Sequence, residues 1–260
     1  MKAPILTWLY VPADRPDRVE KAIASRAHAV IVDLEDGVAP AKKSEARASA
    51  VDQLHEERDK PVFVRVNARD ADDLAAVAAL PLAGVVVPKV ERPEDVPALD
   101  LPVQALIETA LGVENAFAIA SHPGVRGVSL GEADLRSQTG AFDADWPRAR
   151  IVNAAVAAGL PRPPQSVYMH VRDLDGLAQS CRRGRELGHL GRGAIHPDQL
   201  EVIEQAYLPT AAEVETARAT VETLETAGVG VVGERTFVDV AMLGAARDVL
   251  ALADAYGTAS

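Results

Sequence analysis

The stretch 62–89, VFVRVNARDADDLAAVAALPLAGVVVPK, reads as a strand, a crossover helix and a second strand. Two β-branched runs, VFVRVN and GVVVPK, flank ADDLAAVAAL (71–80), where Ala, Leu and Val fall at helical spacing. Each run ends in charge or amide: Arg65 and Asn67 after the first, Lys89 and Glu91 after the second. The same unit recurs in both directions along the chain. ILTWLYVP (5–12) precedes Asp14 and Arg15, AVIVDLED (29–36) carries its own carboxylates, and VQALIE (103–108) ends in Glu108. VRGVSLGEAD (125–134) ends in Glu132 and Asp134, SVYMHV (166–171) holds His170, and GRGAIHP (191–197) holds His196. Eight such runs separated by helix-like segments predict a (β/α)8 TIM barrel, whose reactive groups stand at the carboxyl ends of its strands. The chain therefore reads as an enzyme.

Helical crossovers are expected at PDRVEKAIASRA (16–27), AKKSEARASAVDQLHEE (41–57), 93–99, 112–121, 147–158, 173–187 and 197–206. After Pro209 the pattern changes. TAAEVETARATVETLETAG reads as a long amphipathic helix ending at Gly228, followed by a Gly-rich link and a second helix over FVDVAMLGAARDVLALADAYG. The expected division is a TIM-barrel catalytic domain over 1–208 and a C-terminal helical extension or lid over 209–260. At 260 residues and 48% hydrophobic, one barrel is enough to account for the core. A net charge of -11 with no long basic block argues against a nucleic-acid surface. The lone cysteine, Cys181, excludes an internal disulfide framework, and it lies in a helical stretch away from the expected mouth. No signal peptide or membrane span is visible, so a cytoplasmic protein without a membrane partner is expected.

The chemistry concentrates in Glu108 and Asp134, which end the fifth and sixth runs and so fall on neighbouring strands. Two oxygen ligands, with water and substrate completing an octahedral shell, suit Mg2+, for which Mn2+ can substitute; no Cys/His cluster suits zinc. The alternative is that each carboxylate caps a following helix. Arg65 closes an apolar run and needs an anion, either a substrate carboxylate or Asp33 or Glu35. Asp33, Glu35 and Asp36 are expected as outer-shell partners that orient metal-bound water. Lys42 and Lys43, near a helix start, are placed either to meet a phosphate or simply to be solvated. Neither His170 nor His196 is expected to be the general base.

Together these motifs resemble the citrate lyase beta subunit-like branch of the HpcH/HpaI aldolase superfamily. The resemblance rests on LYVPADRPDRVEKA, VIVDLEDGVAPAKKSEAR, VRVN, VVVPKVE, ALIETALGVENA, GEADL, GLAQSCRRGRELG, GAIHPDQLEVIEQAY and FVD, in that order. It implies a Mg2+-dependent carbon–carbon lyase of citramalyl-CoA or malyl-CoA type. Such an enzyme cleaves a 3-hydroxy acyl-CoA thioester to a 2-oxo acid and an acyl-CoA, and works as a homotrimer or hexamer. By the same resemblance Glu108 and Asp134 are the metal and substrate ligands, and Arg65 holds the 2-oxo acid and its developing oxyanion. Asp239 of FVD is implied as the acid/base at the thioester α-carbon, reaching into a neighbouring subunit's site. Tyr10, Lys21, Lys42 and Lys43 match positions that contact the CoA portion, although Asp17 stands where relatives can carry a basic residue. Glu132 stands one position away from the usual glutamate of the sixth run, and RSQTGAFDADW differs from the usual loop. Two other expectations remain: a class II aldolase acting on free hydroxy-oxo acids, and a citrate lyase beta subunit that needs an acyl carrier protein assembly.

Overall fold

The structure is a computed structural model that describes residues 3–233 and 236–258. The chain divides into two compact units, one of Ile5–Ala206 and one of Tyr207–Ser260 with Met1–Pro4. The larger unit alternates strands and helices: β1 (Thr7–Pro12), α1 (Pro16–Ala24), β2 (Ala29–Asp33), α2 (Lys43–Gln53), β3 (Val62–Arg65), α3 (Ala71–Val77) and β4 (Gly84–Val87). It continues with β5 (Val103–Ile107), α4 (Ala110–Glu114), α5 (Ala116–Ala120), β6 (Val125–Leu130), α6 (Glu132–Thr139), α7 (Asp145–Ala157), α8 (Leu174–Glu186), β7 (Arg192–Ala194) and α9 (Gln199–Tyr207). The seven strands form one sheet in the order β6-β5-β4-β3-β2-β1-β7, and every pair is parallel. AVIVD, VFVR and GVVV are buried at every position, with crossover helices outside and the side chains of neighbouring strands inside. The sheet curls, because inward residues from both of its edges, Ser129 of β6 and Gly193 of β7, line a single cavity.

Of the eight strands expected, seven form the curled parallel sheet among the described residues. The run SVYMHV is not a strand; its neighbour Gln165 makes one isolated parallel bridge to Arg192. Pro161, Pro163 and Pro164 precede it and have no N–H to donate, so a ladder cannot build there. The crossover expected at 93–99 shrinks to a 3-10 turn at Pro93–Asp95, because Pro97 pushes Val96 out of the helical region, to ψ 118. Residues 112–121 break at Asn115 into α4 and α5. Helix α6 was not expected, and it begins at Glu132, inside the run read as strand-terminal.

Side-chain caps set the helix starts. Asp70 accepts from the backbone of Asp72 and Asp73 to open α3, and Asp173 accepts from Gly176 to open α8. Asp73, fully buried, then accepts from Arg47 Nε at 2.6 Å and Asn67 Nδ2 at 2.6 Å, tying α2 to the end of β3.

His189, 1% exposed, precedes β7 with Nδ1 against the Pro163 carbonyl at 3.1 Å, while its Nε2 has no partner among the described residues. Burial pushes its pKa down to about 4. The unfolded chain binds this proton below about pH 6.5 and the folded chain does not, so this contribution to stability is present above pH 6.5 and is lost as pH falls toward 4. The expected loss is about 3 kcal/mol. Urea unfolding across that window should show the slope in the native protein and a flatter one in His189→Gln.

In the smaller unit, α10 (Ala211–Ala227) starts with a capping box between Thr210 and Glu213 and stops at Gly228, whose φ of 73 favours glycine. The segment FVD, expected to be helical, instead forms β9 (Thr236–Val238), antiparallel to β8 (Gly230–Val232). Its β-branched and aromatic residues pair with Gly-Val-Val across the turn. The chain resumes as α11 (Leu243–Tyr256), packed on α10. Among the described residues no helix is long and apolar enough to cross a membrane.

Candidate active site

Register brings Arg65 and Asp33 together. Parallel pairing sets Asp33 of β2 beside Arg65 of β3 at the carboxyl ends of both strands. The guanidinium makes a two-pronged contact, Nε to Asp33 Oδ1 at 2.7 Å and Nη2 to Asp33 Oδ2 at 2.7 Å. Nη1 reaches Asp36 Oδ2 at 3.1 Å and lies 3.0 Å from Glu35 Oε2, which forms no aligned hydrogen bond. The Asp33 carboxylate also accepts from the backbone of Glu35 and Gly37, so it has no capacity left for water near a metal. Of the two partners expected for Arg65, the carboxylates of its own neighbourhood hold it here. Burial alone would weaken the cation, but Asp33, Tyr10 and Glu35 outweigh burial and hold its pKa above the ordinary range. The Tyr10 ring sits under the guanidinium, 5.2 Å from its carbon, and burial pushes the phenol up to about 12.

Across the same cavity stands Glu108, 3% exposed, one residue beyond β5. Its Oε1 accepts from the Lys89 backbone N–H at 2.9 Å. Lys89 has φ 55, a left-handed conformation that non-glycine residues avoid, and so follows β4 with its N–H turned toward Glu108. Gly131 covers the other oxygen: a Cβ there would stand 2.4 Å from Glu108 Oε2. Burial, then the charges of Glu35 and Asp134, push the Glu108 carboxyl up to about 8. Asp134, in the first turn of α6, is half-buried and lines the cavity. Lys89 Nζ approaches Glu35 Oε1 at 3.6 Å; burial pulls its pKa down, but Glu35, Asp134, Glu108 and Asp36 together hold it up. Burial also raises Glu35. A buried carboxyl forced toward its neutral form beside two other acids is what a divalent cation relieves, and the oxygen donors fit Mg2+. Among the described residues no cluster of three or more His, Cys, Asp or Glu has metal-binding geometry, so water and substrate oxygens would complete the shell.

The remaining expected residues are dispersed. Tyr10 faces the cavity interior beside Arg65. Lys43 donates to the carbonyls of Leu34 and Glu35, which ties the loop after β2. The expected helix start near Ala41 is a 3-10 turn, and α2 begins at Lys43. Lys42 is exposed, 4.0 Å from Asp14, and Lys21 is exposed in the last turn of α1. Asp239 belongs to the smaller unit, where it accepts from the Ala241 N–H at 3.0 Å and caps a 3-10 turn. His170 and His196 are exposed and do not line the cavity. Cys181 is fully buried in α8, and burial pushes its thiol up.

The sequence marks Lys89 only as a charge at the end of a run, and it gives the inner polar residues Gln104 and Ser129 no role. It also leaves Glu132 without a partner. Glu132 is buried and held by Arg148 of α7, Nε to Oε1 at 2.8 Å and Nη2 to Oε2 at 2.6 Å, so it fastens α7 to α6. No local signal links residues sixteen apart on separate helices.

Comparison with known proteins identifies what the chain is similar to. Residues 6–197 match the family model described as HpcH/HpaI aldolase/citrate lyase. A (3S)-malyl-CoA thioesterase of Cereibacter sphaeroides is 35% identical over 97% of this chain and 95% of its own length. An L-malyl-CoA/beta-methylmalyl-CoA lyase of the same species is 28% identical over 84% of each chain. The solved structure of CitE from Mycobacterium tuberculosis in complex with magnesium, acetoacetate and coenzyme A superposes with a TM-score of 0.88. It is 32% identical, over 98% of this chain and 100% of that one.

Proposed function

The chain belongs to the HpcH/HpaI aldolase/citrate lyase family, and from that premise we propose that it is a Mg2+-dependent carbon–carbon lyase. It cleaves, or forms, a 3-hydroxy acyl-CoA thioester of malyl-CoA or citramalyl-CoA type, giving a 2-oxo acid and an acyl-CoA. The observation that carries this reading is the Glu108 carboxyl, buried and pushed up to about 8, which shares a cavity with Asp134 and a held guanidinium. The magnesium named with the CitE structure supports the same choice of metal.

Glu108 and Asp134 would hold the ion. Bound there, Mg2+ supplies Lewis-acid polarisation of the hydroxyl that becomes the carbonyl. Arg65 offsets charge on that oxygen, and Asp33 keeps its guanidinium in place, so little reorganisation is needed as the charge develops. When the carbon–carbon bond breaks, the hydroxyl gives up its proton to water and becomes the carbonyl, and the electron pair of the broken bond goes to the thioester as an enolate. Asp239 of a neighbouring copy is assigned to return the proton there, and in the synthetic direction to remove it. On this reading Tyr10 and Lys21 and Lys42 serve substrate binding. Gln165 and its neighbours complete a (β/α)8 barrel, residues 209–260 act as the lid, and the working form is a homotrimer or hexamer.

A second reading, a thioesterase, is favoured by the 35% identity to the malyl-CoA thioesterase over almost the whole chain. The two differ in which bond breaks. Malyl-CoA and citramalyl-CoA, and the free acids, are incubated with the protein and Mg2+, and 2-oxo acid and free thiol are measured separately. Oxo acid without matching thiol, abolished by a chelator, is the expected result. Thiol with intact hydroxy acid replaces the lyase by the thioesterase, and oxo acid from the free acids alone replaces it by an aldolase.

A further inference from the structure

The cavity extends below its charged rim. Its volume is about 430 Å3. It runs down the sheet's inner face past the carboxylates to Trp8, Ile31, Val86, Gln104, Leu106 and Ser129. Gln104 precedes Glu108 by four residues along β5 and its continuation, a descent of about 13 Å. Interiors of this architecture are ordinarily filled by layers of side chains. Here the inward positions 127 and 193 are glycine. A Cβ at Gly127 would stand 2.0 Å from Gln104 Oε1, and one at Gly193 would stand 2.9 Å from Val167 and 3.3 Å from Tyr10. Glycine at 127 thus lets Gln104 lie across the sheet as a floor.

The two halves of this cavity differ in chemistry. Every charged lining group, among them Asp33, Arg65, Glu108 and Asp134, belongs to the rim, and none belongs to the lower half. Its walls are the alkyl groups of Ile31, Val86 and Leu106 and the Trp8 ring. The Gln104 amide and the Ser129 hydroxyl line it and form no hydrogen bond to any described residue. A charged group placed there would lose its hydration with no counter-ion, so an occupant is neutral.

We propose that the lower half is a subsite for the side chain of the 2-oxo acid. The preferred acid carries a neutral chain longer than a methyl group, and Gln104 at the floor sets its length. This rests on the lyase reading for the identity of the acid. With the oxo and carboxylate oxygens held at the rim, the cavity continues among the described residues toward Gln104.

The test uses the protein's own fluorescence. The chain has two tryptophans, Trp8 in the subsite and Trp146, which is exposed; Trp146→Phe leaves Trp8 as the reporter. With Mg2+ present, glyoxylate, pyruvate, 2-oxobutanoate and 2-oxopentanoate are titrated against Trp8 emission. The expected dissociation constant falls roughly fourfold per added methylene, with the emission change growing along the series. Gln104→Phe raises the floor, and 2-oxopentanoate should then lose at least tenfold, on the order of two methylenes' worth, relative to glyoxylate. If that variant does not fold, Val86→Leu narrows the same half from β4 and gives the same ranking change. Affinity that is flat across the series, emission indifferent to every acid, or an order unchanged in a folded variant overturns the subsite. Turnover of malyl-CoA and of the homologous 3-hydroxy acyl-CoA thioesters that yield the longer oxo acids, measured separately, judges the lyase reading. Binding ranked by length without cleavage keeps the subsite and loses the lyase; cleavage with no ranking keeps the lyase and loses the subsite.

Discussion

Glu108→Gln is expected to abolish Mg2+-dependent turnover, with a fall in kcat/KM of about a thousandfold or more, the scale on which removing one preorganised electrostatic group acts. The same change should make the metal-free protein more stable at alkaline pH. In the native chain burial and the charges of Glu35 and Asp134 raise the carboxyl from 4.5 to about 8. The folded state therefore keeps a proton that the unfolded state has released. By linkage, metal-free stability falls as pH rises from about 4.5 through about 8, by roughly 5 kcal/mol over the whole window. Glutamine does not titrate, so its unfolding free energy should lose this slope. Metal must displace the same proton. Mg2+ affinity of the native protein should then rise by up to about tenfold per pH unit below pH 8 and level off above it. Urea unfolding with and without chelator, and calorimetric Mg2+ titration at several pH values, measure both. A Glu108→Gln protein that binds Mg2+ as the native one does would overturn the ligand assignment.

Arg65→Met should damage stability and chemistry together, and the two effects can be separated. It leaves Asp33, Glu35 and Asp36 facing one another without their cation, a loss of about 3–5 kcal/mol for breaking a buried pair from one side. Arg65→Lys should recover only part of this, because an ammonium cannot span both Asp33 oxygens. Combining Arg65→Met with Asp33→Asn removes the most buried of these uncompensated charges and should restore part of the melting temperature. Turnover should stay at least a hundredfold down, since nothing then offsets charge on the reacting oxygen. A stable double variant with native kcat/KM would reduce Arg65 to a structural role.

Much of the larger unit was legible because its signals are local. The run AVIVD announces a strand buried on both faces, ADDLAAVAAL a crossover helix, and the placement of Arg65 and Glu108 after apolar runs marks the end of the sheet at which they stand. The seventh run misled because β-branched composition suggested a strand, while the three prolines just before it remove ladder donors. FVD misled in the opposite direction, since its pairing partner lies across a turn that amphipathic spacing does not describe. The two lysines after β2 looked alike, but Lys43 is turned onto the carbonyls of the loop and Lys42 toward solvent.

What the sequence by itself determined is the kind of group at each strand end and the alternation that carries it there, because periodicity and turn chemistry act over a few residues. What only the tertiary structure decided is the state of those groups. Arg65 is held in place because register sets it against Asp33, thirty-two residues earlier. Glu108 holds its proton because burial and two distant carboxylates act on it at once, and Lys89 lends its N–H only from a strained turn. The cavity reaches Gln104 because opposite walls of the sheet present glycine. Desolvation and Coulomb energies depend on distances between residues far apart in the chain, and no local pattern contains those distances.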